Sequence, residues 1–179
     1  MAVAENVLSE RAQLEQKYKS SRVNLLLVII LTLANVILLI AGSDTMMLFS
    51  ASIPFYAVAF PVVWEMPELF AVGLIIAFVS LLLYFLCWLL SKKRSGWLVV
   101  ALVLFVMDTL AMSGLYLLIE DASGILDVAI HILVLVYLIQ GISASAKLKK
   151  LPPEDPVPAD AEAISDPQGD SAAAFEAEE

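Results

Sequence analysis

One cysteine, one histidine and seven glycines in 179 residues leave little room for most familiar chemistries. A lone Cys87 excludes a disulfide scaffold, a CxxC redox pair and a cysteine-rich zinc site. With His131 the sole histidine and no glycine-rich phosphate loop, most familiar enzyme classes go as well. Charge is scarce too: Asp, Glu, Lys and Arg make up 16% of the chain, against about 25% in a typical soluble domain. What fills the space is apolar, 61% of all residues. That balance excludes an ordinary soluble globule, a disordered chain and a nucleic-acid binder. It describes an integral membrane protein.

Basic residues are also missing from the last stretch of the chain, Leu151–Glu179, which carries Glu154, Asp155, Asp160, Glu162, Asp166, Asp170, Glu176, Glu178 and Glu179. Those acids account for the whole formal charge of −9, because acids and bases balance over residues 1–150. The acidity belongs to a tail rich in Pro and Ala that cannot bury a core, and the tail is expected to be disordered.

Four runs are long and apolar enough to cross a hydrocarbon core of about 30 Å, which takes roughly 20 helical residues. They cover residues 23–42, 69–90, 96–119 and 125–142. Short polar links, Ser91–Ser95 and Glu120–Gly124, force antiparallel neighbours. Lys and Arg placement sets the orientation. Arg11, Lys17, Lys19 and Arg22 precede the first run, Lys92, Lys93 and Arg94 separate the second and third, and Lys147, Lys149 and Lys150 follow the fourth. Four spans with both termini cytoplasmic put every basic residue inside. The outer loops then hold only acids: Asp44, Glu65, Glu68, Glu120 and Asp121. The expected fold is an all-α four-transmembrane-helix bundle.

Residues 46–64 compete as a fifth span. Pro54 and Pro61 argue against it, because each removes a backbone donor, and a fifth span would carry Lys92–Arg94 outside. The stretch, within the outer loop 43–68, is expected to be an interfacial or re-entrant cap packed on the bundle, since irregular backbone at membrane depth needs protein or water over it. Residues 1–22 are too polar for a signal peptide. They read as a cytoplasmic amphipathic helix running into the first span, and residues 143–179 as a basic juxtamembrane stretch followed by the tail. Trp64, Trp88 and Trp97 fall where aromatic belts are expected.

Within the runs, small and polar residues recur at the 3-4 spacing of a bundle seam. The stripes are Asn24, Val28, Leu31, Asn35, Leu38 and Gly42; Gly73, Ala77, Ser80, Tyr84, Cys87 and Ser91; Ala101, Leu104, Asp108, Ala111 and Leu115; and Asp127, His131, Val134, Leu138, Gly141 and Ser145. Asp108 stands out, about 16 Å below the outer end of its helix by residue rise. Ser80 and Thr32 fall at a similar depth, and His131 and Asn35 lie roughly 7 Å shallower. A buried carboxylate is costly, so Asp108 is expected to be protonated and to donate to the Ser80 or Thr32 level. Asp127 and His131, spaced i,i+4, are expected to share a face, where they could bond each other. No metal or cofactor is expected, and Cys87 lies too near the inner boundary to pair with His131.

The stretch NLLLVIILTLANVILLIAGSDTMMLFSASIP, Asn24–Pro54, resembles the opening of small four-span bacterial integral membrane proteins of uncharacterised activity. The resemblance implies a bacterial plasma membrane and leaves the activity open.

Two functions are expected from the residues. The first is a non-enzymatic structural or accessory subunit of a membrane complex, oligomeric, in contact with the lipid bilayer and docking a membrane or cytoplasmic protein. The alternative is a small proton- or cation-linked transporter or channel using Asp108 with Asp127 and His131.

Overall fold

The computed structural model describes residues 2–43, 45, 47–118 and 124–152, with side chains from Val7 onward. Asp44, Glu120, Asp121 and the acidic tail from Pro153 lie outside the described residues. Every regular element among them is helical: α1 (Ala2–Ile40), α2 (Ser52–Val63), α3 (Pro67–Ser91), α4 (Gly96–Leu118) and α5 (Ile125–Leu148). Four of these, α1, α3, α4 and α5, are long and apolar enough to cross a membrane. This is the architecture of a multi-pass helical membrane protein.

The N-terminal polar stretch and the first apolar run form one continuous helix of 39 residues. Nothing interrupts it because the stretch holds neither Pro nor Gly before Gly42. Gly42 then ends α1 with a positive φ of 75°. Its N–H reaches the Leu39 carbonyl, and the Ser43 N–H reaches Leu38. This is a Schellman stop, in which the left-handed residue lets two terminal carbonyls be satisfied.

Residues from the beginning of α1 and from just after α5 meet at one end of the bundle. Arg11 bonds the Pro152 carbonyl, and Tyr18 donates to the carbonyl of Ser91, where α3 ends. Arg22 reaches Ser91 Oγ at 3.0 Å and the Trp88 carbonyl at 3.3 Å, with its guanidinium 5.7 Å from the Trp88 ring centre. This basic end collects the Lys and Arg residues of α1, of the Lys92–Arg94 turn and of the α5 terminus. Close to it, α5 comes against α1 at Gly141, where a Cβ would overlap Ser21.

The opposite end differs. After α1 the chain does not simply turn into the next long helix. It runs back between the helices through residues 47–51, and α2 then returns to the surface. At 12 residues α2 is about 18 Å long, half a bilayer. Its C-terminus copies the α1 stop with a harder residue. Glu65, at φ 53°, bonds the Val62 carbonyl, and Met66 bonds Pro61. Pro67 then opens α3 at a position where no donor is needed. Going down α3, Gly73 lies against the Ala57 carbonyl, which a Cβ would overlap. Pro61 is why that carbonyl is spare: it has no N–H to give to the residue four positions back. The described part of the stretch, residues 47–64, thus enters the interior of the bundle at Ser50–Ser52.

The stripe expected on α3 is buried at Gly73, Ala77, Tyr84, Cys87 and Ser91, while Ser80 is half-buried. On α4 the seam instead runs through Leu98, Ala101, Phe105, Asp108 and Met112. Leu104 and Leu115 are only half-buried and Ala111 faces outward. On α1 the buried line includes Ser21, Leu25, Val28, Thr32 and Asn35. On α5 it includes His131, Val134, Leu138, Gly141 and Ser145, with Asp127 half-buried.

Candidate functional site, a polar cluster around a buried helix start

A helix leaves its first backbone N–H groups without partners inside the helix. At a surface, water takes them. For α2 they lie inside the bundle, midway along α4, so protein must supply every acceptor. Four positions are concerned, Ala51 at the cap and Ser52, Ile53 and Pro54 after it. The Ala51 N–H donates to Thr32 Oγ1 at 2.7 Å. The Ser52 N–H donates to Asp108 Oδ2 at 2.8 Å and the Ile53 N–H to Asp108 Oδ1 at 2.6 Å. Pro54 has no N–H to satisfy. Three donors meet three acceptors.

Thr32 can accept because its own hydroxyl hydrogen is directed to the Val28 carbonyl, 2.7 Å away. The residue is fully buried, as is Asp108. Asn35 holds the approach to α2 in the same way. Its Nδ2 donates to the Met47 carbonyl at 2.7 Å and to Ser50 Oγ at 2.8 Å, and its Oδ1 accepts from the Met47 N–H at 2.7 Å. The amide therefore pairs with Met47 as a neighbouring strand would.

His131 completes the cluster. Its Nε2 lies 3.2 Å from Asp108 Oδ2 and 3.3 Å from Ser52 Oγ, and the Ser52 hydroxyl lies 2.9 Å from Met112 Sδ. The ring stacks on Phe105, with centres 4.9 Å apart and planes 17° from parallel. Phe105 in turn meets Tyr84 edge-on. On the far side of the imidazole, Nδ1 is 2.9 Å from the Asp127 backbone carbonyl. The Asp127 carboxylate accepts from the Tyr116 hydroxyl at 2.7 Å, and Tyr56 donates to Tyr116 at 3.2 Å.

Four of the six residues expected to matter, Asp108, His131, Thr32 and Asn35, converge on residues 47–53. Four expectations need correction. Ser80 makes none of these bonds and sits half-buried on α3. Asp127 and His131 do not join side chain to side chain; the ring uses the Asp127 backbone while the carboxylate faces Tyr116. Most consequentially, His131 and Asp108 touch. The 7 Å offset came from counting rise in straight helices from unaligned ends, and two long side chains reaching across a bundle close it. Asp108 also accepts from α2 backbone at both oxygens, where donation toward Ser80 or Thr32 was expected.

Sequence reasoning missed Ser52, Phe105, Met112 and Tyr116. One signal was present: Ser50-Ala51-Ser52-Ile53-Pro54, with small polar residues ahead of a first-turn proline, marks a helix start. Among the described residues no three His, Cys, Asp or Glu side chains gather as metal ligands would.

Toward the basic end the core changes character. Leu25, Val28, Leu98, Ala101, Phe105, Val134 and Leu138 fill most of it, with Tyr84 and Cys87 among them and Ser21, Ser91 and Ser145 buried nearby. Tyr137 and Gln140, polar residues of that half of α5, point away from it. The fold and cluster together define an all-helical, multi-pass membrane protein with a short helix whose start is held inside the bundle by buried polar side chains. No protein-family model, curated protein or solved structure matches this chain.

Proposed function

We propose that the protein is a non-enzymatic structural or accessory subunit of a membrane complex. It would lie in a plasma membrane of the bacterial kind, with both termini in the cytoplasm and the α2 layer facing out. One observation carries the reading. Donors and acceptors of Thr32, Asn35 and Asp108 are taken up in holding residues 47–53, and below them the core is a mostly apolar plug in which Tyr84 and Cys87 are the polar members. Such a device gives the bundle a shaped, rigid outer layer. Orientation follows the basic residues gathered at one end; a reporter fused at Ser123 should read outside, and a cytoplasmic reading overturns it. The functional test is the size and composition of the particle extracted from native membranes in mild detergent. A defined complex with other polypeptides at fixed ratio is expected. Recovery of the chain alone, or only with itself, rejects the reading.

A second reading, a small proton- or cation-linked transporter or channel, draws on a different observation. A half-helix whose N-terminus meets a carboxylate and an imidazole at mid-bundle is an arrangement transport proteins use. Proton and monovalent-cation flux in proteoliposomes tests it. A flux abolished by Asp108→Asn and His131→Ala favours this reading, and the absence of flux removes it.

A further inference from the structure

Hydrogen positions around His131 leave one proton to be placed. The Asp127 carbonyl beside Nδ1 can only accept, so Nδ1 carries a hydrogen. A neutral ring of that tautomer turns the bare lone pair of Nε2 toward Asp108 Oδ2, 3.2 Å away. An ionised carboxylate there would make the contact repulsive. One hydrogen on Nε2 makes it a bond, in which a carboxylate accepts from Nε2 as it does from the Ser52 and Ile53 N–H groups.

We propose that Asp108 and His131 form a buried single-proton site, and that this proton locks the N-terminus of α2 inside the bundle. Among the described residues Asp108 is the side chain that satisfies both Ser52 and Ile53, and its partner His131 is braced by Phe105 and by the Asp127 backbone. When the proton leaves, Nε2 and Oδ2 repel. The nearest other donor for Nε2 is the Ser52 hydroxyl, 3.3 Å away and at present turned to Met112 Sδ. Its rotation to the ring, with withdrawal of the carboxylate, loosens the grip on the α2 backbone.

The groups facing the pair are few. From α1 come Thr32 and Asn35, and from α2 Ser52, none of which titrates. From α3 comes Tyr84, edge-on to Phe105. Tyr116 of α4, Asp127 of α5 and Tyr56 of α2 form a bonded chain on the surface side. That chain ends at the residue whose backbone carbonyl faces Nδ1, and it marks the side from which protons approach. Lys and Arg belong to the basic end, beyond the apolar plug.

Because His131 is the sole histidine, its ring can be observed without interference. The full chain, labelled with ¹⁵N-histidine and ¹⁵N-amides in lipid nanodiscs, is followed by NMR with rising pH. Nδ1 is expected to stay protonated while the Nε2 signal changes in one step. Amide exchange at Ser52 and Ile53, corrected for its intrinsic pH dependence, should quicken about tenfold across that step as a charge-assisted bond weakens, with no change at Leu98–Phe105. Asp108→Asn should abolish the step. Ser52→Ala, which keeps the backbone donor, should retain the step and enlarge the exchange response. A hydrogen on Nε2 with Nδ1 bare, a ring unchanged wherever the fold survives, or a ring step that leaves Ser52 and Ile53 unmoved overturns the proposal. If Asp108→Asn does not fold, the wild-type and Ser52→Ala titrations decide.

Discussion

The two halves of this bundle solve different problems with different residues. Toward the basic end, continuous helices satisfy their own backbone, and a mostly apolar seam from Leu25 to Leu138 packs between them. At the other end a chain segment with unsatisfied backbone groups enters the interior, and Thr32, Asn35 and Asp108 appear where they are needed. Polar side chains inside a membrane protein are commonly read as functional by default. Here their position follows from where the main chain stops being self-sufficient. Function, if it uses Asp108 and His131, is layered on a structural demand.

Substitutions at the two ends should separate these principles. The largest effect is expected for Asp108→Leu, which leaves two buried backbone donors and His131 without their partner. Loss of one member of a buried charged network costs about 3–5 kcal/mol, read as a large fall in thermal stability in detergent. Asp108→Asn keeps one carbonyl acceptor and should cost about 1–3 kcal/mol, where a donor role would have left it neutral. A smaller loss, about 3 kcal/mol at most, is expected for Gly73→Ala, which forces α3 off the Ala57 carbonyl. Gly114→Ala, where a Cβ meets nothing within 4 Å, should leave stability unchanged or slightly raised. The comparison sharpens further with Thr32→Val, nearly the same shape without the acceptor. About 2 kcal/mol should be lost because the Ala51 N–H is orphaned, and Thr32→Ser should recover most of it. An equal loss from Leu98→Met, a volume-conserving change in the apolar half, would contradict the division of labour. The mildest change is a gain: Glu65→Gly removes the left-handed strain at φ 53° and should add about 1 kcal/mol.

Much of the fold was readable before any coordinates. Run length and hydropathy mark the four long helices, and Pro54 and Pro61 argue against a fifth span. On α3 the seam was legible because small residues, Gly73 and Ala77, mark close approach in a lipid setting. The α4 seam was not, because Phe105 and Met112 face the core while equally apolar Leu110 and Met107 face outward. Within a membrane, hydropathy does not distinguish these surfaces. The cluster itself was half legible. Asp108, His131, Asn35 and Thr32 announce themselves as polar residues in apolar runs. Their target does not, since the N–H groups of Ala51, Ser52 and Ile53 have no signature of their own and lie 19 to 56 residues away from their acceptors.

That separation gives the protein a schedule. During synthesis Thr32 and the α2 segment leave the ribosome early, but the carboxylate for Ser52 and Ile53 is made 56 and 55 residues later, respectively. Until α4 has been inserted, drawing the segment to mid-membrane would strand two donors in hydrocarbon. The nascent chain therefore has reason to keep residues 47–63 at the lipid–water boundary, where water stands in for Asp108. Settling inward then waits for α4, the helix that receives it.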